Sequence, residues 1–155
     1  MNITLTAKEK SLLEDQKKHE EICIQKYSNY TNLASDQQLK TIFSNHAKIE
    51  QGHLYSINQL LNGQVPTLSG ANTNQQQQTN SSIPQGSSTS YQTTDKDLCN
   101  DVLMTEKYVS GAYDTAIFEF KNTEVRDVLN HIQKEEQKHG EAIYKYMESK
   151  GMYPS

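Results

Sequence analysis

A chain of 155 residues is sized for one domain, and its formal net charge of -4, with no run of Lys or Arg, excludes a basic face for nucleic acid or an anionic membrane surface. No stretch is long and apolar enough to span a bilayer, and Met1-Asn2-Ile3-Thr4-Leu5-Thr6 leads straight into charged residues, so synthesis in the cytoplasm is expected. Only 34% of the residues are apolar. The deficit is concentrated between about Asn62 and Thr94, without which the rest rises to roughly 40%, enough for an ordinary core.

Four helices are expected. The first begins near Thr6, where Thr6-Ala-Lys-Glu9 reads as a capping box, and ends near Ala34. The second opens at Ser35-Asp36-Gln37-Gln38, which also reads as a capping box, and stops at Asn62-Gly63. These make a first hairpin over residues 6–62 with almost no loop. Residues 63–93 are dominated by Asn, Gln, Ser, Thr and Gly, with Gln75 to Gln78 at the centre, and read as a flexible linker. The third helix starts near Thr94-Asp95 and runs to about Phe120, and Asn122 caps a fourth that ends at Lys150-Gly151. The second hairpin, 94–151, thus repeats the first within one domain spanning 1–155. The linker is long enough to cross a bundle of ~40 Å helices from end to end, and long enough to allow a homodimer with swapped hairpins.

One constellation occurs twice. Glu20, Tyr27, Glu50 and His53 recur as Glu106, Tyr113, Glu136 and His139, every pair offset by 86 residues. With five His and twelve Glu, composition predicts about 0.4 Glu-x-x-His pairs, and two occur with the same upstream partners. Apolar residues at three- and four-residue steps trace a seam on each helix. The second carries Leu39, Phe43, His46, Glu50, His53, Ile57 and Leu60, and the fourth Val125, Leu129, Ile132, Glu136, His139, Ile143 and Tyr146. The third carries Cys99, Val102, Glu106, Val109, Tyr113, Ala116 and Phe120, and the first Leu13, Gln16, Glu20, Cys23, Tyr27, Tyr30 and Ala34. Each helix therefore turns a Glu inward at mid-length.

Four buried carboxylates cost several kcal/mol for each unpaired charge, more than a marginally stable domain can bear. No Lys or Arg lies on a seam to compensate them. Two divalent cations would, in a four-helix bundle that supplies one Glu from each of two helices and a Glu-x-x-His from each of the others. Positions i and i+3 lie about 60° apart, so Glu50 with His53 addresses one ion and Glu136 with His139 the other. Oxygen ligands with one imidazole per ion suit iron or manganese better than tetrahedral zinc. Tyr27 and Tyr113 share a face with the lone Glu residues and are placed to orient a ligating carboxylate. His46 reads as a hydrogen-bonded core histidine, Cys23 and Cys99 as buried thiols rather than a disulfide, and His19, His131, Glu21 and Glu135 as solvent-facing.

The Glu, Tyr and Glu-x-x-His arrangement resembles bacterioferritin and rubrerythrin, the di-iron members of the ferritin-like superfamily. The resemblance implies a ferritin-like bundle with Glu20, Glu50, His53, Glu106, Glu136 and His139 as ligands. The step from the lone Glu to Glu-x-x-His is about one turn shorter here, which a tighter hairpin absorbs. Residues Asp101 to Tyr153, with Leu103-Met104-Thr105-Glu106-Lys107-Tyr108, Tyr113-Asp114-Thr115-Ala116, Glu124-Val125-Arg126 and the Tyr144 to Pro154 tail, resemble the spore coat F family. Thr123 and Met152 replace a Pro and a Trp common in that family, and neither is a proposed ligand. This resemblance implies synthesis in the mother cell, deposition in the spore coat and association with other coat proteins. Together the two imply a ferritin-like coat protein with two iron or manganese ions, redox-active toward peroxide or dioxygen in the manner of a peroxidase, catalase or ferroxidase. The alternative is a structural coat component with an inert site; iron storage, which needs a hollow shell, fits least.

Overall fold

The computed structural model describes residues 2–68 and 94–153. They form α1 (Ala7–Leu33), α2 (Gln37–Leu61), α3 (Asp95–Glu119) and α4 (Thr123–Ser149). Residues 69–93, most of the expected linker, lie outside the described residues. No described helix is long and apolar enough to cross a membrane.

The helix ends follow local chemistry. Thr6 caps α1 through a reciprocal box with Glu9, and Thr94 caps α3 through the same box with Asp97. The start of α2 differs from expectation: Asp36, not Ser35, is the cap, and its carboxylate accepts from Gln38 N at 3.0 Å. The reason is tertiary, since the Ser35 and Asp36 amides both donate to the Asp95 carboxylate at the start of α3, at 2.8 and 3.0 Å. Asn122 caps α4 by accepting from Val125 N. Gly63 leaves α2 at φ 79 and Gly151 leaves α4 at φ 67, the left-handed conformation in which a Cβ is strained. At Gly63 the chain is also pinned by Ile3 N, which donates to its carbonyl at 2.8 Å.

Contacts at the ends set the directions. Lys8 pairs with Glu119, and Glu9 accepts from Lys121 N, so α1 and α3 are antiparallel. Tyr146 donates to Asp36 at 2.7 Å, which makes α4 antiparallel to α2. Consequently α2 ends at one end of the bundle and α3 begins at the other. Those two ends are separated by about 38 Å, the length of a 25-residue helix.

The seams are buried as the periodicity predicts, with Tyr30 the one member left half-buried. The apolar core falls into two clusters. One gathers Leu13, Ile57, Leu60, Phe120 and Leu129 toward one end, and the other Leu39, Phe43, Leu98, Ile143 and Met147 toward the opposite end. Each fully buried side chain of this kind contributes about 1.5–3 kcal/mol. The mid-length polar residues lie between these clusters, so apolar packing on both sides holds them away from water.

Candidate metal centre

All six predicted ligands converge within a single chain, and all are buried: Glu20 from α1, Glu50 and His53 from α2, Glu106 from α3, Glu136 and His139 from α4. Their ligand atoms form two overlapping groups, each within 4.8 Å: Glu20, Glu50, His53 and Glu136, and Glu50, Glu106, Glu136 and His139. Glu50 and Glu136 belong to both. Glu50 turns Oε2 toward His53 Nδ1 at 3.0 Å and Oε1 toward His139 Nδ1 at 3.1 Å. Glu136 places Oε1 at 3.2 Å from His53 and Oε2 at 3.5 Å from His139. Glu20 approaches only His53, at 3.7 Å, and Glu106 only His139, at 3.4 Å. Two carboxylates thus span the site and two close its ends.

Tyr27 donates to Glu106 and Tyr113 donates to Glu20. Each hydroxyl crosses from its own helix to the lone Glu of the other hairpin, rather than serving the Glu two turns away. Burial, and then the neighbouring carboxylates, push both phenols well above their ordinary value, so both remain O–H donors.

Proton affinities divide the carboxylates the same way. Burial and the charges of Glu50 and Glu136 hold Glu20 well above the usual carboxylate range, and burial with the adjacent Glu136 lifts Glu106 to about 8. For Glu50 and Glu136, burial also opposes ionisation, but it is outweighed, at Glu50 by the two imidazoles beside it and at Glu136 by the Glu106 carboxyl and then the same imidazoles; Glu50 is held down to about 2 and Glu136 is lowered. Burial likewise opposes charge on the imidazoles, yet the carboxylates win: His53 is held well above its ordinary value and His139 is raised to about 11.

The donor set fits divalent cations. Glu20 Oε2, Glu106 Oε2 and Glu136 Oε2 are buried without a hydrogen-bond partner, as are both His Nε2 atoms. Ionised carboxylates only accept, and the donors facing them number fewer than their oxygens. Two oxygen-rich positions with one imidazole each match the preferences of iron or manganese.

Other residues depart from expectation or complete it. His46 is buried, but its Nδ1 has no hydrogen-bond partner. Its ring instead stacks on His139 at 4.0 Å and meets Tyr27 edge-on at 5.0 Å, which a seam position alone does not reveal. Cys23 and Cys99 are buried free thiols in different core clusters. Glu21 and His131 are exposed, while His19 and Glu135 are half-buried. Buried Glu9 was legible only as a cap; its mate at the 86-residue offset is Asp95, and each accepts backbone amides of the opposite hairpin's turn.

Residues 94–155 match the family model of the Coat F domain. A solved structure from Anabaena variabilis, a two-domain protein containing DJ-1/ThiJ/PfpI-like and ferritin-like domains, superposes with a TM-score of 0.72 at 14% identity. The superposition covers 98% of this chain and 39% of that one, so the chain spans about two fifths of the neighbour's length. At that identity the likeness is one of fold. No curated protein matches the chain. The molecule has the fold of a ferritin-like four-helix bundle, and its second hairpin matches the Coat F domain model.

Proposed function

We propose that this chain, a Coat F domain hairpin completed by a second hairpin into a ferritin-like bundle, is a spore coat protein that holds two iron or manganese ions between its four helices. The observation that carries the proposal is the double use of Glu50 and Glu136, each with one oxygen toward either histidine. Two such ions, when bound, supply one-electron changes that pair to match the two electrons required to reduce peroxide to water.

The protein's own groups have separable tasks. Glu50 and Glu136 would bridge, Glu20 with His53 and Glu106 with His139 would each close one position, and Tyr27 and Tyr113 would fix the two end carboxylates. The apolar clusters above and below exclude water, which strengthens every charge interaction at the site. The match of the second hairpin to the Coat F domain supports association with other coat proteins.

The second reading is a structural coat component whose site is inert. Met104, Tyr108 and Phe118, all strongly exposed on α3, favour it by offering apolar surface for packing. Peroxide consumption separates the readings. The metal-loaded protein should consume peroxide, and protein carrying both Glu50→Leu and Glu136→Leu should not; equal and negligible consumption by both would leave the structural reading.

A further inference from the structure

Helix α3 exposes three large apolar side chains, Met104, Tyr108 and Phe118, at 71%, 70% and 84% of their surface. At about 100° per residue they fall, with exposed Lys107, Gly111 and Asp114, in a stripe reaching about 60° to either side of Gly111. The stripe points away from Glu106 and Tyr113, which α3 buries. Nothing in the internal repeat requires it: at the 86-residue offset α1 carries Lys18, Gln25 and Asn32 in place of Met104, Gly111 and Phe118. A glycine inside a helix is destabilising, and Gly111 has no packing reason within the chain, since a Cβ there would meet nothing within 4 Å. What it provides is room for a second backbone to come close.

The stripe is self-complementary about that glycine. Met104 and Phe118 lie seven residues to either side of Gly111, with Lys107 four before it and Asp114 three after. A second α3 laid nearly antiparallel on the first, its Gly111 facing this one, brings Met104 of each copy to Phe118 of the other. A two-fold of this kind reverses the helix direction and keeps each flank on its own side. Lys107 therefore meets Asp114 along one flank, an opposite-charge pair made twice, and Tyr108 meets Thr115 along the other. Helices separated by about 8–10 Å leave only about 3–5 Å between the two Gly111 Cα atoms, a gap that a bulky side chain would prop open. We propose that this face of α3 is the contact between two copies of the chain, packed antiparallel across Gly111. The stripe is about 21 Å long and one helix wide, small beside the ~800 Å² per partner of a stable complex, so the dimer is weak and concentration-dependent. Pairing is compatible with either reading of the centre, because no residue of the stripe belongs to it.

Sedimentation equilibrium of the full-length chain, from low micromolar to millimolar concentration, tests this. A reversible monomer–dimer equilibrium is expected. Phe118→Glu and Gly111→Arg should each weaken it about tenfold or more, by placing a charge at the contact. Both positions are exposed, and Arg favours a helix over Gly, so circular dichroism should show no loss of helix in either variant. Lys107→Glu and Asp114→Lys should each weaken the dimer, and the double variant, which restores opposite charges across the contact, should recover it. A chain that is monomeric at every concentration would leave the face to a different coat protein and overturn the proposal. A dimer that Phe118→Glu and Gly111→Arg leave intact, as an exchange of hairpins would give, overturns it as well. So does a failure of the double charge variant to recover the pairing lost in the two single ones.

Discussion

Tyr27 on α1 donates its hydroxyl to Glu106 on α3, and the pairing is returned, Tyr113 on α3 donating to Glu20 on α1. The two hairpins are therefore latched to each other through the residues that close the two ends of the centre. Tyr27→Phe removes a donor from a buried carboxylate and should cost about 1–3 kcal/mol of stability. It should also weaken metal binding about 10–100-fold, chiefly at the Glu106–His139 position. Tyr113→Phe should do the same at the Glu20–His53 position. Thermal melts and metal titrations of the two variants check both expectations.

Sharing of Glu50 and Glu136 between the two groups predicts a stoichiometric asymmetry among ligand substitutions. Glu20→Gln or Glu106→Gln should leave one position intact, so that about one ion per chain is retained. Glu50→Gln or Glu136→Gln should weaken both positions together. Quantitative metal analysis of the four single variants at equal free metal reads this directly.

The stability that metal adds should grow with pH, while the metal-free protein loses stability. Without it, Glu20 and Glu106 have raised affinity for protons, as do His53 and His139. Each such group contributes stability that is full below its unfolded value and is lost as pH rises through its folded value. For Glu106 that window runs from 4.5 to about 8, and for His139 from 6.5 to about 11. Metal-free protein should thus melt at progressively lower temperature from pH 5 to pH 9. Metal must displace those protons, so its affinity rises with pH and the loaded protein should gain on the metal-free form over the same range. Melting curves at pH 5, 7 and 9, with and without metal, measure both slopes.

Clustered carboxylates are held for something other than stability. Replacing Glu50 and Glu136 together by Leu should abolish metal binding and leave the metal-free bundle as stable as before or up to about 4 kcal/mol more stable, because buried ionic groups are often outdone by apolar packing. Denaturant unfolding of the metal-free double variant against metal-free wild type gives the comparison.

Periodicity made most of this legible. A step of three or four residues identifies a helix face, and the faces traced by Leu39 to Leu60 and Val125 to Tyr146 are the buried ones. The 86-residue repeat placed six side chains at one depth, and they meet there. What periodicity cannot supply is the neighbour across the gap. Hence the crossed partners of Tyr27 and Tyr113, the stacking of His46 on His139, and the transfer of the α2 cap to Asp36 when Asp95 takes the Ser35 amide, all emerged only with the helices in place.

The central claim is that Glu20, Glu50, His53, Glu106, Glu136 and His139 hold two metal ions in one chain. Its most direct test is metal content by mass spectrometry on protein purified without a histidine tag and without added chelator. About two iron or manganese ions per chain in the wild type, falling below the detection limit when Glu50 and Glu136 are both replaced by Leu, is the predicted result. A folded wild-type protein free of metal even after exposure to excess iron(II) and manganese(II), or a double variant that retains both ions, would contradict it.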